Sequence, residues 1–144
     1  MSGQSGRLFT NLRGKKGIAY ALGCSQKTAL DTGYLVLYAA TSKEKIDEVK
    51  GALIEEIELI GQNGVGVDEL DIAKKELRTG YDLEAQKNGF FSITSALEEL
   101  YGLGCNNLYR YKGKIENVSK EDIRRIAAKY LNPKACVVII ISPQ

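Results

Sequence analysis

The chain has 144 residues, 44% of them hydrophobic and 26% charged, enough for one folded core of ordinary globular composition. It contains no histidine, which excludes Ser–His–Asp and Cys–His catalysis and every His-containing metal site. The net charge of +2 hides an asymmetry. Residues 1–30 carry Arg7, Arg13, Lys15, Lys16 and Lys27 and no acid, and the remainder is net acidic. Such a basic end is either a solvated face or a site for an anion or an acidic partner.

The elements read as follows in chain order. Gly3 to Lys16, with Leu8, Phe9 and Leu12 among small and polar residues, predicts a short helix ended by Gly17. Ile18 to Cys24 alternates large and small residues, a strand pattern. Gln26 to Leu30 is read as connecting chain, with a turn at Asp31-Thr32-Gly33. Tyr34 to Ala40 is a nearly continuous apolar run, the pattern of a buried strand antiparallel to the first. Lys43 to Ile60 predicts a long helix, with Ile46, Val49, Leu53, Ile57 and Ile60 on one stripe and Thr41 or Ser42 as cap.

A Gly61–Gly66 loop leads to a helix from Val67 past Tyr81 and Leu83, then to one over Phe90–Tyr101, broken at Gly102-Leu103-Gly104. Tyr109 to Ile115 adds a short helix. Ser119 and Asp122 form a capping-box variant for the last helix, with Ile123, Ile126, Ala127 and Tyr130 inward, and Asn132-Pro133 stops it. Ala135 to Ile141 predicts a final strand. Strands at both ends with helices between them imply an α+β fold: a small, mostly antiparallel sheet covered by several helices. Residues 1–144 are expected to form a single domain. Three strands leave an open sheet edge, so pairing with a second copy is expected, by strand pairing or swapping.

The longest apolar run, Ala135 to Ile141, is too short for a membrane helix, and no signal peptide or transmembrane segment is read. No membrane partner is expected. Cys24, Cys105 and Cys136 form no C-x-x-C pair and are expected to be buried hydrophobes. Ser42-Lys43-Glu44-Lys45 satisfies S-x-x-K, but Ser42 stands where a helix needs a cap. Gly61-x-x-Gly64-x-Gly66 lacks phosphate-loop spacing and is read as an interhelical turn. Glu55, Glu56, Glu58 and the pair Glu98-Glu99 are read as solvated surface. The local pair of interest is Arg13 and Tyr20, on either side of Gly17: a guanidinium fork and a phenol can both donate to a carbonyl or an oxyanion.

Gly3-Gln-Ser-Gly-Arg-Leu-Phe-Thr-Asn-Leu-Arg-Gly-Lys-Lys-Gly-Ile-Ala-Tyr20 resembles the segment GxxSRLFxxLRxxxGLAY of the insulinase-like zinc metallopeptidases, which include pitrilysin and the mitochondrial processing peptidase. The resemblance continues in order through Gly33–Thr41, Val67–Lys75, Ala96–Gly104 and Val118–Leu131 to the closing strand. It implies two α/β domains per half of a clamshell that encloses a peptide. It also implies a zinc ion held in another domain by an inverted H-x-x-E-H motif, and an Arg–Tyr pair that meets the substrate backbone or the transition state, here Arg13 and Tyr20. With no histidine, this chain has no metal ligands of that kind and no catalytic residues of its own. The resemblance identifies it as a C-terminal piece of a larger, truncated peptidase domain. Its expected partners are a peptide substrate and the other domains of the parent peptidase, with zinc as cofactor only in the full-length protein. Two alternatives remain: a non-catalytic scaffold subunit of the same fold family, and a basic module for anions or nucleic acid, although no nucleic acid is expected as partner.

Overall fold

A computed structural model describes residues 6–29 and 31–142. Gly3 to Ser5, expected to begin the first helix, and Leu30 of the connecting loop lie outside the described residues. The chain forms two compact units, Met1–Val65 with Lys120–Gln144, and Gly66–Ser119.

In the first unit the opening helix is a π-helix over Phe9–Lys15. The Lys16 amide reaches back to the Asn11 carbonyl at 3.0 Å, the i→i−5 bond of that wider helix. Leu8 and Leu12, four residues apart, are fully buried. Gly17 then takes φ +61°, a backbone region that costs glycine least, and the chain turns. Ile18 and Ala19 are buried before the first strand, β1 (Ala21–Thr28), begins. It pairs antiparallel with β2 (Gly33–Ala40), Cys24 opposite Leu37. β1 thus starts three residues later and runs four residues further than the alternation predicts. The ladder reaches as far as Thr28 and Gly33, and a Cβ on Gly33 would stand 2.8 Å from the Lys27 carbonyl oxygen, so the tight turn requires glycine there.

A single 3₁₀ turn over Lys43–Lys45 leads into α1 (Ile46–Asn63). α1 runs past the predicted end at Ile60 until Gly64, at φ +68°, closes it. Val49 and Ala52 of α1 meet Leu8, Leu12 and Ile18, and Leu22, Leu37, Ala39 and Leu53 pack around them. The core of this unit therefore lies between the π-helix, α1 and one face of the sheet. Truncating Leu8 or Leu12 to alanine removes about 2–5 kcal/mol.

The second unit holds α2 (Val67–Glu84), α3 (Asn88–Leu100) and α4 (Tyr111–Glu116). The first two agree with the predicted helices to within two residues. Gly102 (φ +73°) and Gly104 (φ +85°) break the chain after α3. The Glu99 carboxylate accepts the Cys105 amide at 2.7 Å across this turn. Aromatic rings make much of the packing: Tyr81 stacks on Tyr111 at 5.0 Å and meets Phe90 edge-on at 5.5 Å. The Tyr81 hydroxyl donates to the Leu108 carbonyl at 2.9 Å.

α5 (Lys120–Tyr130) returns to the first unit and packs on α1. Four expectations need correction. Of the four residues placed inward on α5, Ala127 is buried and Ile123 half-buried, whereas Ile126 and Tyr130 are exposed. β2 is covered on one face only; Tyr34, Val36 and Tyr38 stand exposed on the other. The Ala135–Ile141 run forms no strand: a 3₁₀ turn covers Pro133–Ala135, and residues 136–142 carry no regular secondary structure. An apolar β-branched run has strand propensity, but a strand needs a neighbour for its backbone groups. The sheet among the described residues consequently has two strands and not three, within the α+β class expected. Finally, Cys105 and Cys136 are exposed and Cys24 is half-buried, all as free thiols. Cys105 sits in the turn after α3 and Cys136 beyond the last helix, so neither reaches a core.

Candidate functional site: the Arg13–Gly17–Tyr20 corner

The corner between the π-helix and β1 is held by a dense set of backbone bonds. The Ile18 amide donates to the Leu12 carbonyl at 2.9 Å, and the Tyr20 amide donates to Ala40 at 3.1 Å. Two side chains from the start of α1 and the loop before it add to these. The Thr41 hydroxyl donates to the Ile18 carbonyl at 2.5 Å, and the Lys45 ammonium donates to the Gly17 carbonyl at 3.2 Å. Further along α1, Glu55 pairs with Lys16 at 3.2 Å. The carbonyls that a left-handed glycine bend turns away from regular pairing are thus satisfied.

Arg13 lies in the last turn of the π-helix, exposed, with its guanidinium 5.1 Å from the Phe9 ring centroid. That cation–π contact across one helical turn gives the long side chain a resting place without consuming its donors. Tyr20 is 66% exposed at the foot of β1. Among the described residues neither side chain has an ion pair or a hydrogen-bonded partner, and no bond joins one to the other. The two residues flank Gly17 on the braced corner, and both are exposed.

The basic end is less basic than its sequence. Arg7 Nε lies 3.8 Å from Glu56 Oε2, both side chains largely buried, and Lys16 is paired with Glu55. Two of the five positive charges are therefore matched by α1 carboxylates, which weakens the reading as an anion or nucleic-acid surface. Glu56 itself corrects the sequence reading of a solvated face: it is buried and accepts a hydrogen bond from Asn11 Nδ2 at 2.6 Å. A signal for this was present. Val49, Ala52, Glu56 and Ile60 recur on the buried side of α1, so the helical period carries Glu56 inward with them.

Other motifs resolve into structure. Lys45 of the S-x-x-K match is engaged with the Gly17 carbonyl, and Ser42 occupies the cap position of the 3₁₀ turn without a side-chain cap bond. Ser42 instead serves Glu44, whose carboxyl is held below its ordinary range by its own backbone amide and by the Ser42 hydroxyl. Burial pushes the Cys24 thiol above its ordinary range. Among the described residues no three Cys, Asp or Glu side chains are grouped to hold a metal ion, and no helix is long and apolar enough to cross a membrane. With no histidine in the chain, the donor set does not fit a zinc centre.

Residues 1–77 match the family described as the Peptidase M16 inactive domain. The chain belongs to this peptidase family, as its inactive domain. The M16 inactive domain is 31% identical over 137 residues to an uncharacterized zinc protease of Rickettsia bellii, covering 95% of this chain and 29% of that protein. It is 27% identical over 130 residues to one of Mycobacterium bovis, covering 90% and 30%. It thus spans about three tenths of the length of the curated relatives it matches. Among solved structures, the peptidase M16 inactive domain from Pseudomonas fluorescens superposes with a TM-score of 0.77 at 21% identity, over 91% of this chain and 31% of that one. An inactive peptidase domain from Bordetella parapertussis gives 0.76 at 18% identity, over 97% and 76%. These two likenesses show the α+β fold.

Proposed function

We propose that residues 1–144 act as one domain of a larger zinc-dependent metalloendopeptidase, lining its peptide chamber and presenting Arg13 and Tyr20 to the substrate while another domain holds the metal. The observation that carries this reading is the braced corner. Two strong hydrogen-bond donors stand exposed, without a partner among the described residues, on chain whose carbonyls are tied by Thr41 and Lys45. Holding donors before a ligand arrives lowers the reorganisation that binding demands. The relatives' description as zinc proteases supports the class of the parent protein, and the lack of histidine in this chain supports a metal held by another domain.

The chemistry assigned to each residue is limited. The Arg13 guanidinium offers a planar fork to a peptide carbonyl or carboxylate. The Tyr20 phenol donates one hydrogen bond to a carbonyl oxygen as negative charge develops on it. Neither supplies a nucleophile or a metal ligand.

The test uses the full-length protein. Arg13→Ala and Tyr20→Phe should each lower peptide turnover, by about 10²-fold for a donor aimed at developing charge, at unchanged zinc content. Unchanged kcat/KM in both variants sinks the assignment. A full-length wild-type protein that binds zinc and cleaves no peptide favours a scaffold subunit instead.

A further inference from the structure

Glu56 is the one buried charged side chain among the described residues. Its neighbours on the inward side of α1 are Val49, Ala52 and Ile60, all apolar. Replacing a buried ion pair by apolar residues is often neutral or stabilising, so core stability alone does not call for a carboxylate here. What the carboxylate holds is the opening helix. Asn11 Nδ2 donates to Oε1 at 2.6 Å, and Arg7 Nε lies 3.8 Å from Oε2.

These contacts fall where the helix changes its winding. The Thr10 amide donates to the Gly6 carbonyl, four residues back, whereas the Lys16 amide donates to the Asn11 carbonyl, five back. A turn that holds one residue more rotates each later side chain by about one residue's step, roughly 100°. Arg13 stands just beyond Asn11, inside the wider turn, so the winding sets the direction of its guanidinium. Leu8 and Leu12 seat this helix in the core, and apolar contact is non-directional. The bonds to a single carboxylate are directional, and they fix the rotation that the apolar pair leaves free.

We propose that Glu56 is a positioning residue for Arg13. Through Asn11 and Arg7 it holds the π-helical winding that aims the guanidinium, and it touches no substrate itself. The inference rests on the substrate role proposed for Arg13 and adds to it a residue on another helix.

The experiment measures peptide cleavage by the full-length protein in two backgrounds, with Arg13 present and with Arg13→Ala. The perturbing variant is Arg7→Met/Glu56→Leu, which removes both charges and leaves an apolar contact. With Arg13 present it should lower kcat/KM by about tenfold or more, the scale of a misplaced binding group. In the Arg13→Ala background it should change kcat/KM by less than about twofold, because the group it misplaces is already gone. Far-UV circular dichroism checks folding. If the double variant is unfolded, Asn11→Ala, which removes one bond and no charge, gives the reading in both backgrounds. A loss of similar size in both backgrounds shows a structural role alone and overturns the proposal. So does full activity of the folded variant where Arg13→Ala by itself lowers turnover. If Arg13→Ala by itself leaves turnover intact, the substrate role of Arg13 is wrong and the proposal falls with it.

Discussion

Asn11 Nδ2 donates to Glu56 Oε1 at 2.6 Å, joining the π-helix to the buried side of α1. Arg7, one helical turn before Asn11, places its guanidinium against the other oxygen of the same carboxylate and also donates to the Gly64 carbonyl at 3.3 Å. One buried carboxylate therefore secures the helix that carries Arg13. Hydrogen bonds to a charged group contribute about 1.5–3 kcal/mol, so Asn11→Ala should lower unfolding free energy by that amount in urea titrations. Arg7→Met should cost at least as much, because Glu56 is left as an uncompensated buried charge. Arg7→Met combined with Glu56→Leu should cost less than the sum of the two single changes. Additive losses would show that the residues do not act together.

Arg13 and Tyr20 should behave in the opposite way. Both are exposed, and neither bonds a neighbour among the described residues. Arg13→Ala and Tyr20→Phe should each change stability by less than about 0.5 kcal/mol. Thr41→Val, which removes the hydroxyl from the Ile18 carbonyl, should cost about 1–2 kcal/mol. Hydrogen exchange at the Tyr20 amide should quicken in that variant and stay slow in Thr41→Ser. Equal protection in Val and Ser variants would show that the bond does not brace the corner.

The cysteines separate by environment. Burial raises the Cys24 thiol, whereas Cys105 and Cys136 stand exposed. Iodoacetamide at pH 8 should modify Cys105 and Cys136 first, with Cys24 slower by about tenfold or more, since the thiolate is the reactive form. A thiol raised on folding contributes stability that is intact below its unfolded range and lost as pH rises through the folded value. Cys24→Ala should therefore flatten the loss of stability on the alkaline side. Labelling of all three at one rate would contradict the burial of Cys24.

In the second unit, Tyr81 combines a stacked ring, an edge contact and a hydroxyl bond to Leu108. Tyr81→Phe should cost about 1 kcal/mol, and Tyr81→Ala about 3 kcal/mol as the aromatic contacts go too. Near-UV circular dichroism during urea unfolding reads both. Equal losses would mean that the rings contribute nothing.

Local pattern was enough for α2 and α3, the glycine breaks at 102 and 104, and the β1–β2 antiparallel pair, because helical period, turn chemistry and alternation are properties of neighbouring residues. It also singled out Arg13 and Tyr20 around Gly17. It did not place Glu56, which looks like its solvated neighbours until the stripe from Val49 to Ile60 is followed. Nor did it find what Thr41 and Ser42 do. Neither hydroxyl caps the helix that follows, because Thr41 braces Ile18 and Ser42 serves Glu44.

The amino-acid sequence by itself determined which segments are helical, that no histidine chemistry is available, and which family the chain resembles. Only the tertiary structure decided which carboxylate is buried, which carbonyls the corner surrenders, and whether the apolar tail is a strand. The reason is that burial and strand pairing are relations between distant parts of the chain. A helix satisfies its backbone within itself, whereas Val137–Ile141 has the apolar β-branched pattern of a strand and, without a neighbouring strand among the described residues, forms none.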